Sequence, residues 1–519
     1  MAGVAAAGAA PKKERSEGLT RTLITISVML ATIMNSLDTT IANVALPHIQ
    51  GSVSAAQDQI TWVLTSYIVA AAIMTPLTGW LAGRFGRKLV FLISIGGFVL
   101  ASMLCGIANS LVEIVLFRLL QGVFGAALIP LSQAVLLDIY PPHQHGQAMS
   151  IWGMGAILGP ILGPALGGWL TDNLSWRWVF YINLPIGIFA FTGVFLFIQE
   201  HRKAEKPYFD FFGYITLAVA IGAAQMFLDR GATQDWLNSI EVVSEGIIAV
   251  VALYLFVVQM MTAKRPFVDR ALFADGNFVT ATVFGFFIGI LLFSSLSLLP
   301  PMMENLLGYP VVTTGIVSVP RGIGSFISMF LAGQLVSRFD TRLILLVGLV
   351  ISGVSYWMMS HFSLQMTAMP IMVTGFMQGL GTGLIFTPLS TLAFASLSPV
   401  FRTEAAGLFT LVRNIGSSVG ISVMQVLLTN NIQKVHAQLV EHARPDNPAF
   451  QHLPAPFSLT NLPGLAALDG MITRQASMVA YIDDFKLMMW ITIVSVPLLI
   501  LMRPPKRIAK PDPAHAAFE

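Results

Sequence analysis

The sequence predicts an all-α membrane fold with fourteen transmembrane helices, grouped as six, two and six. Three observations carry that prediction: long apolar runs recur along the 519 residues, Lys and Arg gather in alternate loops, and an early segment is echoed late in the chain. The chain is 55% hydrophobic and 11% charged, with mean hydropathy +0.75. A soluble domain carries about 25% charged residues, so this chain lacks the polar side chains to cover a soluble surface. The runs are continuous rather than alternating, and a helix satisfies its own backbone in lipid, which favours helices over a barrel.

In order, the expected spans are Leu23–Leu46, Ile60–Leu81, Leu89–Ala108, Leu111–Leu137, Ala148–Leu170, Val179–Phe197, Phe211–Leu228, Val242–Met261, Phe278–Pro300, Val311–Val336, Leu343–Ser360, Met366–Ala393, Ala405–Leu428 and Phe485–Leu501. Each has about the length that crosses a hydrocarbon core. The first is not a cleaved signal sequence, because Asn35 and Asp38 interrupt it. The polar stretch before it, residues 1–21, reads as a disordered tail. With both termini on one side, that side collects twenty Lys and Arg residues against five on the other. Both ends are therefore expected in the cytoplasm.

The repeat pairs Gly79–Phe85 with Gly333–Phe339 at an offset of 254. It pairs Gln121-Gly122 with Gln378-Gly379 at 257, and Pro130-Leu131-Ser132 with Pro388-Leu389-Ser390 at 258. The expected parts are a tail (1–21), a first six-helix half (22–199), two inserted spans with their loops (200–277), a second half (278–503) and a tail (504–519). Parallel repeats of this kind mark a large class of secondary transporters, with substrate handled between the halves. The second half contains a long external segment, residues 429–484. Its two apolar stripes, from Ile432 and from Leu465, predict an amphipathic helical hairpin broken by the Pro-rich stretch Arg444–Pro463.

Several function classes are disfavoured. One cysteine, Cys105, excludes an internal disulfide and a cysteine-built zinc site. Net charge is +3, which does not suggest a nucleic-acid partner. There is no Gly-Lys dipeptide, hence no ATP-binding loop of the Walker type. No paired carboxylates, metal-binding motif or Cys/His set points to an enzyme, a metal or another cofactor.

Asp38 is the one carboxylate well inside a predicted span. A charge at that depth costs about 2.5–3.5 kcal/mol on insertion scales and so marks a pathway or a partner. The bland alternative is a carboxylate that only bonds a neighbouring helix. Asn35 and Thr39 share its helical face. Arg118 lies at a similar depth in span 4 and fits either a partner for Asp38 or an arginine snorkelling to the surface. Gln121 and Gln378, equivalent across the repeat, join Asn35 and Thr39 as candidates to line a substrate cavity. Glu304, just past span 9, fits either a cavity carboxylate or a solvated loop. Gly79, Gly83, Arg84, Gly86 and Arg87 form a basic turn after span 2. Gly159, Pro160, Gly163, Pro164, Gly167 and Gly168 form a ladder in span 5 suited to close helix crossing or to a hinge. Arg321 and Arg413, inside spans 10 and 13, are expected to make bundle or gate contacts.

Taken in order, these motifs resemble the major facilitator superfamily, and within it the fourteen-span drug:proton antiporters of the EmrB/QacA type. The resemblance runs through Leu37–Pro47, Gly79–Lys88, Phe117–Gly122, Leu158–Gly168, Trp176–Gly187 and Leu228–Trp236. It implies the major facilitator fold, proton coupling through Asp38 and Arg118, and export of hydrophobic drug-like molecules from an inner membrane. Asp38 would take up and release the proton. It also implies partners beyond proton, substrate and lipid bilayer: a periplasmic membrane-fusion adaptor that docks on residues 429–484, and an outer-membrane channel. Gly83 stands where the loop motif usually has Asp, which removes the acid of a charge-relay latch at that position. A same-fold exporter of one physiological solute, such as a lipid, siderophore or metabolite, remains the alternative, with a membrane-embedded enzyme behind it.

Overall fold

The structure is a computed structural model that describes residues 12–56, 59–200, 208–231, 234, 236–398, 401–443, 447, 457 and 461–502. The tail positions 1–11 and 503–519 lie outside the described residues, as does most of the Pro-rich stretch. Among the described residues, thirteen helices are long and apolar enough to cross a membrane, and a bent pair makes fourteen.

Two compact units emerge, residues 1–214 with 398–407, and residues 215–397 with 408–519. The first unit contains α1 (Lys12–Val53), α2 (Trp62–Met74), α3 (Leu77–Phe85), α4 (Arg87–Ile107), α5 (Leu111–Gly125), α6 (Leu128–Ile139), α7 (His145–Asn173), α8 (Trp178–Tyr181) and α9 (Asn183–Phe197). Helix α1 begins at Lys12, inside the stretch expected to be a disordered tail, because Lys, Glu and Arg are strong helix formers. The second expected span is the bent pair α2–α3, which turns by 57° at Thr75–Pro76. Pro76 has no backbone N–H to continue the ladder. The basic turn proves mostly helical, since α3 and α4 are separated by Gly86 alone. Its φ of +93° suits glycine and strains other residues.

The second unit holds most of α10 (Phe211–Gly231), α11 (Ile240–Thr262), α12 (Arg270–Ala274), α13 (Gly276–Pro301), a π-helical turn (Met302–Leu306), α14 (Val311–Leu335), α15 (Thr341–Met359), α16 (Ala368–Ala395), most of α17 (Arg402–Val440), α18 (Leu462–Ser495) and α19 (Leu498–Leu501). Helix α10 docks on α17 through Gln225 to Ser418 and Leu228 to Ser422. Spans 13 and 14 both continue as helix into the segment 429–484. Helix α17 runs unbroken to Val440, α18 starts at Leu462, and His436 of one meets Asp469 of the other at 3.0 Å. Pro463 was expected in the break but lies in the first turn of α18. Asn461 caps that turn by accepting from Gly464 N, and proline has no hydrogen bond to lose there. Leu468 and Ile472 are buried rather than exposed, while Leu465 and Met471 face outward.

Candidate functional site

Helices α1, α2, α4, α5, α8 and α9 bring one buried polar cluster together in the first unit. Asp38 of α1 and Arg118 of α5 are 0% and 1% exposed, so the charges have only each other and the surrounding dipoles. Arg118 Nη1 donates to Asp38 Oδ2 at 2.6 Å and to Gln121 Oε1 at 2.8 Å, and its Nε donates to the Val63 carbonyl at 3.1 Å. Its guanidinium carbon also lies 4.3 Å from the centre of the Tyr67 ring and 5.8 Å from that of Phe180. This satisfies the fork while keeping water out. The snorkelling alternative for Arg118 is therefore corrected.

The other carboxylate oxygen, Asp38 Oδ1, accepts from Gln121 Nε2 at 2.8 Å and from Asn183 Nδ2 at 2.9 Å. Asn183, the first residue of α9, also donates to Ser102 Oγ, which in turn donates to the Phe180 carbonyl. All three contacts on the Asp38 carboxylate are N–H donors, so it acts as an acceptor only. A proton placed on it would oblige one donor to turn away. The cluster is a fully enclosed polar network with a buried charge pair at its centre.

Asn35 and Thr39, the candidates to line a substrate cavity that share the helical face of Asp38, bond elsewhere. Asn35 donates to Tyr67 Oη and to the Gly125 carbonyl, and Thr39 donates back to Ser36 in its own helix. Neither reaches Asp38. Asn183, Ser102 and Tyr67, which do shape the site, were missed. Uncharged polar residues are common in spans, and only the stretch Trp176–Gly187 gave any signal. Glu304 sits half-buried in the π-helical turn.

Gln378, the repeat partner of Gln121, centres an equivalent cluster in the second unit. Its Nε2 donates to Ser295 Oγ and Tyr356 Oη, each at 2.8 Å. Arg321 Nη1 donates to Ser295 Oγ and its Nη2 to the Leu292 carbonyl, both at 3.3 Å. The correspondence runs position by position. Ser295 follows Asp38 by the 257 residues that separate Gln378 from Gln121, while Arg321 and Tyr356 follow Tyr67 and Ser102 by 254. The second copy has no acid, and its cation stands at the position of Tyr67 rather than that of Arg118. A small cavity beside it is lined by Ile288, Leu291, Leu292, Ser352, Tyr356, Thr382 and Ile385.

Around the first cluster, the glycine ladder of α7 lies against α1. A Cβ at Gly159 would overlap the Ser36 backbone, one at Gly163 would overlap Thr40, and one at Gly167 would press on Ile41. Gly168 faces open space and takes no part in this contact. Helix α7 continues through Pro160 and Pro164 without a break. A Cβ at Gly79 would meet the Glu404 backbone at 2.8 Å. Arg84 is exposed. Gly83 leaves no acid in the loop, yet an acid is supplied from elsewhere: Asp138 at the end of α6 pairs with Arg87 and, at 3.1 Å, with Arg402. An ion-pair network is thus built at this turn without the loop aspartate. In the second unit, Arg413 lies over the Phe386 ring.

The sequence pattern of the Major Facilitator Superfamily matches residues 28–421. Multidrug export protein EmrB of Haemophilus influenzae is 34% identical over 469 residues, which is 89% of this chain and 92% of that protein. EmrB of Escherichia coli K12 is 36% identical over 466 residues, 89% of each. Fatty acid resistance protein FarB of Neisseria gonorrhoeae is 36% identical over 490 residues, 93% of this chain and 96% of that protein. Among solved structures, the proton:xylose symporter XylE bound to 6-bromo-6-deoxy-D-glucose superposes with a TM-score of 0.59 at 14% identity. That match covers 94% of this chain and all of XylE, and it speaks to the fold alone.

Proposed function

The chain belongs to the major facilitator superfamily, among relatives of the EmrB multidrug export proteins, and from that premise we propose that it is a proton-coupled multidrug exporter working by alternating access. The observation that carries the reading is the enclosed Asp38–Arg118 pair, ringed by the donors Gln121 and Asn183. Protonation of Asp38 removes the carboxylate charge, leaves Arg118 without its counter-ion and obliges a donor to turn away, so proton loading and substrate release become linked at one site. Moving a carboxylate between a cationic neighbour and a different environment is a physical means of binding and releasing a proton. Substrates are hydrophobic and varied in this reading. It places the chain in an inner membrane with both ends cytoplasmic, in keeping with the Lys and Arg distribution. FarB's name fits the alternative, a single apolar solute.

The hairpin of α17 and α18 is the proposed dock for a periplasmic adaptor leading to an outer-membrane channel. One experiment tests both parts. Dye efflux is measured in proteoliposomes with an imposed pH gradient and, in parallel, as resistance in cells. Wild type is compared with a variant whose residues 429–484, the hairpin itself, are replaced by a short flexible linker. Wild type should drive several unrelated dyes in the gradient direction. The variant should do so in liposomes while losing resistance in cells. Gradient-independent leakage would sink proton coupling, transport of one dye alone would favour the single-solute reading, and retained resistance would remove the dock.

A further inference from the structure

Among the described residues, the second unit contains a buried cation that no carboxylate pairs with. Arg413 of α17 is 8% exposed, its Nε has no hydrogen-bond partner, and its guanidinium carbon lies 5.4 Å from the centre of the Phe386 ring on α16. Among the described residues, no carboxylate forms an ion pair with it or with Arg321. An uncompensated charge inside a protein is costly to keep, and at membrane depth it marks a pathway or a ligand.

Unpartnered hydroxyls flank it. On α16, Phe386, Ser390 and Phe394 follow one another at i, i+4 and i+8, so they share a helical face. That face meets α17, because Phe386 stacks under Arg413 and Phe394 packs against Phe409. Ser390 therefore sits within the seam, 0% exposed, with its Oγ unbonded. Thr410 lies three residues before Arg413, on the same side of α17, 2% exposed and likewise unbonded. The Arg413 Nε–H and the two hydroxyls on one seam are donors that no protein acceptor meets. Arg321 differs, since Ser295 and the Leu292 carbonyl already receive its protons. It stands at the level of Gln378, eight residues or about 12 Å along α16 from Phe386.

We propose that this α16–α17 seam binds the anionic head of a lipophilic solute, a carboxylate or sulfonate whose oxygens accept from Arg413, Ser390 and Thr410. The proposal deepens the export reading and rests on it for the solute's passage, though not for its binding. The test uses the purified full chain in phosphatidylcholine nanodiscs at pH 8, without a gradient. Binding of dodecanoate is compared with binding of dodecyltrimethylammonium, the same tail with the opposite charge, and empty nanodiscs are subtracted. Arg413→Gln should weaken dodecanoate at least tenfold and leave the cation within twofold. Arg413→Lys should retain most of the affinity, and Arg321→Gln should lose less than Arg413→Gln. The melting temperature of Arg413→Gln should equal or exceed that of wild type, because it removes an unpaired charge. Equal loss of both probes, unchanged dodecanoate binding, or a marked drop in melting temperature would each overturn the proposal. So would displacement of dodecanoate by added phosphatidylglycerol, which would assign the seam to a lipid headgroup. Normal binding without gradient-driven transport would count against the export reading and leave this site standing.

Discussion

At the scale of single residues, the question is why a charge pair sealed from water should exist in a protein that could have packed apolar groups there. Burying both ions costs more than their attraction returns unless every donor and acceptor is met. Here the Asp38 carboxylate holds three donors and Arg118 serves three acceptors and two rings. Asp38→Asn keeps the shape but puts an amide among donors and leaves Arg118 unpaired, a penalty of about 3–5 kcal/mol. That variant should lose gradient-driven efflux while still inserting and binding some substrate. Adding Arg118→Gln should recover stability but not transport, which melting curves and efflux measured side by side can check. Wild-type efflux from Asp38→Asn would end the proton-site assignment. The pair could be found in the sequence because a charge stands out in an apolar run. The residues that complete the site could not, because Asn183, Ser102 and Tyr67 become informative only when tertiary structure converges on them.

Elements were easier to foresee than their interruptions. Hydropathy gives the runs, but hydropathy does not report the bend at Thr75–Pro76, the break between Gly125 and Leu128, or the extension of α17 to Val440. These depend on local backbone hydrogen bonds and on helix propensity outside the apolar stretch. The ladder of α7 is a case where spacing did carry tertiary information. Glycines at 159, 163 and 167 recur every four residues, so they lie along one stripe, and that stripe is where α7 meets α1. Gly168 falls off the stripe and faces open space. Gly163→Leu would drive a branched side chain into Thr40, which already donates to the Gly159 carbonyl. Overpacking of this kind costs about 1–3 kcal/mol or more. The expected result is a lower melting temperature, together with a loss of coupling larger than the loss of folded protein, because α1 carries Asp38. Normal melting and normal transport would show that the crossing is looser than its geometry.

For the whole molecule, the repeat has kept its frame and divided its charges. Gln121 and Gln378 hold the same place in their clusters, but Asp38 has become Ser295 and Tyr67 has become Arg321. The position that would match Arg118, 257 residues later, is Gly375, so the pair is absent as a pair. If proton coupling belongs to the first unit, restoring an acid at the matching position of the second should not replace it. Ser295→Asp would place a carboxylate where Ser295 Oγ now accepts from Arg321 at 3.3 Å. It would be neutralised by a cation that Arg118, Gln121 and Asn183 do not help to release. The single variant should therefore raise the melting temperature by supplying a missing counter-charge, and it should not improve efflux. The double variant Asp38→Asn with Ser295→Asp should stay uncoupled under an imposed pH gradient. Recovery of gradient-driven efflux in that double variant would mean that any buried acid in this frame suffices, and the assignment of coupling to the first cluster would fall with it. Failure to recover, with the stability gain intact, ties coupling to the donor ring around Asp38 rather than to an acid at that depth.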